Sequence, residues 1–277
     1  MRNFFVVVIL LIAGAYANGL ELTGNLVQGG LVFGQVQPGA KVLLGKQQVV
    51  VDDAGRFVLG FDRDAALSQQ LSINGELSTL EIASREYKVQ RIEGIARNIM
   101  NPSESDLQRI RKESAQIKKA RALAEKRRDF DSGFKWPLFG PITGVYGSQR
   151  VYNGVPSRPH YGVDIAAPTG TPARAPADGV VTLAHPGMFY SGGTLIIDHG
   201  HGLSSSFLHL SKVLAKVGDV VKKGQVVAEV GATGRVTGAH LDWRMNWHGA
   251  RVDPQLLVDE MPSEQQSSAQ QGGANND

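Results

Sequence analysis

The chain contains no cysteine. Disulfides, thiol catalysis, a lipid-modified amino-terminal cysteine and cysteine-ligated zinc are therefore excluded, and any metal must be held by histidine and carboxylate. Long apolar runs are also missing: the stretch from Phe4 to Ile12 is too short to span a bilayer comfortably. Aromatic residues make up only 7% of the chain, and the net charge is a modest +3. The one basic run, Lys126-Arg127-Arg128, closes a segment that reads as helical, so nothing resembles the basic, aromatic-studded face of a nucleic-acid binder. Histidine is missing from the whole amino-terminal half. All seven, at 160, 185, 199, 201, 209, 240 and 248, fall in the carboxy-terminal part, which is where a histidine-based metal site must lie.

What is present divides the chain. Arg2, the apolar stretch and Ala15-Tyr16-Ala17 have the form of an export signal over residues 1–17 with an A-x-A cleavage site. Its removal leaves no stable membrane anchor. Residues 18–95 read as a small antiparallel β-sandwich: Val49 to Val51, Arg56 to Phe61 and Leu71 to Ile73 are strand-like, and Asp53-Ala54-Gly55 is a hairpin signal. Residues 96–132 form a charged helical linker. Ser103 is its candidate cap, with Asp106 three residues on. Lys126 to Arg128 read either as a contact for an anionic surface or as a solvated helix end. Residues 133–260 are again strand-rich, and 261–277 form a disordered, low-complexity tail. The predicted fold class is mainly β.

Two segments carry the chemistry. In His160-Tyr161-Gly162-Val163-Asp164, an extended backbone turns His160 and Asp164 to one face, and Gly162 between them leaves room for a metal or substrate. Ala239 to Trp247 alternates cleanly. His240, Asp242, Arg244 and Asn246 share one face, while Leu241, Trp243, Met245 and Trp247 share the core face. Ser204 to Ser211 reads as a strand ending in His209. His199-Gly200-His201 has metal-pair spacing, but Asp198, Gly200 and Gly202 mark it as a turn. His185 and His248 have no motif around them.

The carboxy-terminal part resembles the LytM/lysostaphin-type metallopeptidases, which cleave peptide cross-links of peptidoglycan. The likeness rests on collinear stretches: Arg158 to Ile165, Ala175 to Val181, Ile197 to Gly200, Phe207 to Ser211, Gly231 to Gly234 and Thr237 to Leu241. The resemblance implies a β-rich domain of duplicated hybrid motif and one Zn2+ ion. It implies His160 and Asp164 as metal ligands, and His209 and His240 as catalytic residues beside the reacting water. The third ligand falls at Asp242, where the family usually has histidine. Asp242 is then either an unusual ligand, which opens the site to other divalent ions, or a salt-bridge partner of Arg244. Arg244 and Asn246 are candidates to support the ligands from behind.

The expected function is an exported zinc metalloendopeptidase, periplasmic or cell-wall associated, acting on peptidoglycan. The alternative is a catalytically degenerate LytM-like domain that binds the wall or activates another hydrolase. Val217 to Gln225 also resembles a turn of biotinyl- or lipoyl-type carriers, but no lone lysine flanked by methionine stands there. The cross-link cleaved, the role of the amino-terminal domain and the oligomeric state are not legible.

Overall fold

The computed structural model describes residues 20–94 and 102–262. The expected export segment and residues 263–277 of the expected tail lie outside them. Among the described residues, no helix is long and apolar enough to cross a membrane.

Residues 20–94 build two antiparallel sheets. One comprises Glu21–Gly24, Leu31–Gln35 and Arg56–Gly60; the other comprises Val42–Leu44, Gln47–Val49, Ser68–Ile73 and Glu76–Glu81. Val32, Phe57, Leu59, Leu71 and Leu80 are buried in their shared core, the sandwich that the short alternating strands predict. Asp53-Ala54-Gly55 turns the chain but makes no hairpin, because the strands on either side of it belong to different sheets. The turn is built by Asp52, whose Oδ1 accepts the N–H groups of Ala54 and Arg56 at 2.9 and 2.8 Å.

Helix α1 (Glu104–Ala120) starts in a capping box, in which Ser103 and Asp106 each accept the other's backbone N–H. It ends before the basic run, so Lys126 to Arg128 are neither a helix end nor a free cationic patch. Lys126 pairs with Asp53 at 2.7 Å and Arg128 with Asp131 at 2.7 Å, while Arg127 contacts Glu125, Asp129 and Asp198. These pairs strap the connector to both β units. The helix itself is anchored by buried Glu113, which accepts the Phe189 N–H at 2.8 Å.

The carboxy-terminal unit is organised around one large sheet. Its strands are β1 (Ile142–Gly144), β2 (Val163–Ala166), β3 (Gly179–Met188), β4 (Gly192–Gly200), β5 (Leu203–Leu210), β6 (Val220–Val221), β7 (His240–Trp247) and β8 (Ala250–Val252). Their spatial order is β6-β3-β4-β5-β7-β2-β1, with β8 paired to β7. Central β7 sends Leu241, Trp243, Met245 and Trp247 into the core, as its alternation predicts. The polar face is buried too: Asp242 is 0% and Asn246 1% exposed.

The two β units are not beads on a string. Val89–Ile92 pairs in parallel with Gln149–Tyr152, which forms a hairpin with Val155–Pro156. Arg85 reaches Asp253 at 2.8 Å, and a Cβ on Gly60 would stand 2.6 Å from Trp247 Cβ. The histidine-free unit is thus fused to the back of the strand that bears the site.

Gly162 has a different use from the one its spacing suggested. A Cβ there would lie 2.6 Å from Asp242 Oδ1 and from the Trp243 carbonyl oxygen. The space is filled by Asp242 and the stem of Arg244, not left for a ligand.

Gly162→Ala is expected to push β7 away from this crossing, cost about 1–3 kcal/mol in urea unfolding and abolish stoichiometric metal uptake. Glu113→Ala leaves the Phe189 N–H unsatisfied. It should cost about 1–3 kcal/mol and speed tryptic cleavage at Lys118 and Lys119; unchanged cleavage would show that α1 is held by other contacts.

Candidate metal centre

Antiparallel register brings the key carboxylates together. Asp164 on β2 stands directly opposite Asp242 on β7, so their side chains share a face. His160, just before β2, closes the triangle: its Nε2 is 2.9 Å from Asp164 Oδ1 and 3.4 Å from Asp242 Oδ2. All three residues are buried, and their ligand-type atoms lie within 4.8 Å of one another. His160 Nε2 and Asp164 Oδ1 are buried without a hydrogen-bond partner. Two orphaned acceptor atoms facing a second carboxylate suit a divalent cation, and one histidine nitrogen with carboxylate oxygens is an acceptable set for zinc.

Each carboxylate is backed by an arginine. Arg150 Nη2 donates to Asp164 Oδ2 at 2.5 Å. Arg244 grips Asp242 through Nε, at 2.9 Å to Oδ1, and through Nη2, at 2.5 Å to Oδ2. Burial pushes the Asp242 carboxyl up, but Arg244 and His160 overcome this and hold it well below the usual range. Burial likewise raises Asp164, and the charges of His160 and Arg150 bring it below its ordinary value despite Asp242. Both are carboxylates at neutral pH. Asn246 is engaged by Arg251, whose Nη1 donates to its Oδ1 at 2.5 Å, rather than by the three ligand-type residues.

His209 and His240 stand over the triangle with ring centroids 5.0 Å apart. His209 Nε2 is 3.9 Å from Asp242 Oδ2, and His240 Nε2 is 3.7 Å from Asp164 Oδ1. Each Nδ1 bonds a carbonyl, of Thr233 at 2.8 Å and of Gly238 at 2.9 Å. A ring that donates from Nδ1 keeps its Nε2 lone pair facing the site. Burial drives the His209 pKa down to about 4, so that ring is neutral at pH 7.

His209 gets there by an irregularity. Ser206 lies opposite Arg244 and Leu208 opposite Asp242, so strict alternation would turn His209 to the other face. The β4–β5 register slips beside it, between Gly193 and Leu195, and His209 has φ 65°. Such a bulge re-aims a side chain, and a positive φ in a non-glycine residue is a strain that persists where the surroundings enforce it. No sequence pattern announced it.

The remaining histidines lie elsewhere. His199 is buried near the end of β4, bonded to the Asp178 carbonyl at 2.6 Å and Ser205 Oγ at 2.9 Å, and His201 follows in the turn at φ 52°. His185 accepts the Gly187 N–H at 3.1 Å. His248 lines a cleft of about 710 Å3 that opens beside His209. Arg150, Tyr152 and Arg121 border that cleft and were not singled out in the sequence; without register information they read as ordinary surface residues.

Residues 158–254, which contain His160, Asp164, His209, His240 and Asp242, match Peptidase family M23. Peptidoglycan DD-endopeptidase ShyB of Vibrio cholerae is 39% identical over 128 residues, covering 46% of this chain and 27% of that protein. DD-carboxypeptidase/endopeptidase Mpg of Neisseria meningitidis is 42% identical over 97 residues, covering 35% of this chain and 22% of that protein. The chain thus spans about a quarter of the length of the curated relatives it matches. A crystal structure from Pseudomonas aeruginosa, provisionally named a peptidase M23, superposes with a TM-score of 0.66 at 29% identity, covering 84% of this chain and 95% of that one. The likeness therefore extends beyond the matched segment to most of the architecture. The carboxy-terminal region of this chain is a peptidase family M23 domain.

Proposed function

We propose that the chain is a zinc metalloendopeptidase that hydrolyses peptide cross-links of peptidoglycan in the cell envelope. The observation that carries this reading is the convergence of His160, Asp164 and Asp242 around unpartnered acceptor atoms, with two Nε2 lone pairs within 4 Å of them. The M23 relatives named peptidoglycan endopeptidases supply the substrate class.

His160, Asp164 and Asp242 would hold the ion, which supplies Lewis acidity toward a carbonyl and acidifies water. The rest falls to the chain. His209, kept neutral by burial, and His240 present Nε2 acceptors at the rim of the site; one takes the proton of the attacking water, and the other stabilises the developing oxyanion as an imidazolium, donating from Nε2. Arg150 and Arg244 orient the two aspartates and neutralise part of their charge. That neutralisation offsets the loss of Lewis acidity expected when a carboxylate replaces a histidine.

The degenerate reading is favoured by one contact, the grip of Arg244 on both Asp242 oxygens. It does not require that the site be dead, since a carboxylate oxygen has two lone pairs and can meet an arginine and a metal together.

The two readings part on metal content and muropeptide release. The purified chain should carry about one zinc per molecule and digest peptidoglycan, with chelator stopping release and zinc restoring it. Zinc-loaded, folded protein that releases nothing would sink the enzyme reading. Asp242→Ala should lose the metal, and Asp242→Asn should weaken it. If Asp242→His instead gains metal and activity over a silent parent, the aspartate is what silences the site. His209→Ala and His240→Ala should each keep the metal while lowering the hydrolysis rate about 10²–10⁴-fold.

A further inference from the structure

The cleft beside the metal centre is strongly one-signed. Six arginines and Lys118 line it, and no Asp or Glu is among its described lining residues. Arg150 and Arg244 are spoken for by Asp164 and Asp242. Three others have no carboxylate partner in the contacts they make. Arg121, reaching in just beyond the end of α1, donates Nη2 to Ser206 Oγ at 2.8 Å and keeps a buried Nε with no acceptor. Arg251 donates to the amide oxygen of Asn246. Arg235 is held between the rings of Tyr152 and Tyr190, 4.8 Å from each centroid.

Guanidinium groups gathered in this way repel one another and lose hydration without gaining a counter-charge. Burial, followed by the neighbouring arginine charges, depresses Arg121 and Arg251 from their ordinary values. Arginine forks match carboxylates bidentately. Register fixes how far this cluster lies from the chemistry: Ser206, which Arg121 touches, stands opposite Arg244, two residues along β7 from Asp242. That is about 7 Å along a strand, or two residues of an extended peptide.

We propose that Arg121, Arg235 and Arg251 form a carboxylate-binding site for an acidic peptide lying in the cleft, with Arg121 making the linker part of the site. Arg121 lies outside the family-matched segment 158–254. The peptide's place beside the metal centre rests on the function proposed above; the binding itself does not need the metal.

The test uses the full chain, stripped of metal with chelator. Acetyl-Ala-Glu-Ala with a free carboxyl terminus is titrated by calorimetry against acetyl-Ala-Gln-Ala-amide, which carries no charge. The acidic peptide should bind about tenfold or more tightly than the neutral one, and less tightly as salt rises. Arg121→Gln and, separately, Arg235→Gln should each weaken it about tenfold, with Arg121→Lys recovering part of the loss and circular dichroism showing an unchanged fold. Equal binding of the two peptides, or an Arg235→Gln variant that binds like the parent, overturns the proposal, as does preference for a single-stranded oligonucleotide over the peptide. Arginine-dependent binding with no peptidoglycan hydrolysis after zinc is restored would leave this site standing and remove the peptidase reading. Hydrolysis without charge selectivity would do the reverse.

Discussion

Two carboxylates facing each other across adjacent strands are the constraint around which this molecule is arranged. Asp164 and Asp242 are paired by register and both buried. Two like charges at about 5 Å repel by about 3 kcal/mol even at an effective dielectric near 20. β2 and β7 could not stay paired there without cations. Arg150 and Arg244 supply them, one behind each carboxylate. The tightness of Gly162 follows, because the Asp242–Arg244 pair needs the volume that a side chain at 162 would occupy.

That constraint also explains why the amino-terminal unit and the connector are built into the fold. Arg150 sits on the hairpin that Val89–Ile92 extends, so one arginine backing the centre is positioned by a strand paired to the sandwich's own chain. The polar face of β7 would be an open surface if nothing covered it. Arg121 caps the neighbouring strand at Ser206, and Arg244 and Arg251 cover Asp242 and Asn246, which are buried on the face that alternation marks as polar. Burial strengthens every charge interaction there, the arginine–carboxylate pairs and the repulsion among the unpaired arginines alike.

Much of this was legible in the sequence, for identifiable reasons. Alternation along β7 has period two, and its large apolar residues leave only one way to face the core, so the shared face of His240 and Asp242 could be read directly. The absence of cysteine and the clustering of histidine confined any metal to the carboxy-terminal unit. The capping box of α1 is a local contact between Ser103 and Asp106, and local contacts are what short patterns encode. Pairing between strands is not encoded in this way. The role of Gly162, the hairpin at 149–156, the departure of Asp53-Ala54-Gly55 from hairpin geometry and the turning of His209 by a bulge all depend on which strand lies next to which. The basic run at 126–128 misled for the same reason: beside its local partners it pairs with Asp53 and Asp198, which are distant in sequence and invisible until the chain folds.

The aspartate at position 242 acquires its meaning from residue 244. Alone, a carboxylate in place of histidine makes the centre more anionic and dulls the electrophilicity of any ion held there. With Arg244 on both its oxygens, the Asp242–Arg244 pair would offer an ion an oxygen of little net charge, closer to a neutral imidazole than to a free carboxylate. The two positions therefore form one unit. A change at 242 alone strands a buried arginine, and a change at 244 alone strands a buried carboxylate. A histidine at 242 would face Arg244 without the carboxylate that now balances it. Asp242 and Arg244 are thus one charge-balanced unit, and the chemistry of either position depends on the other.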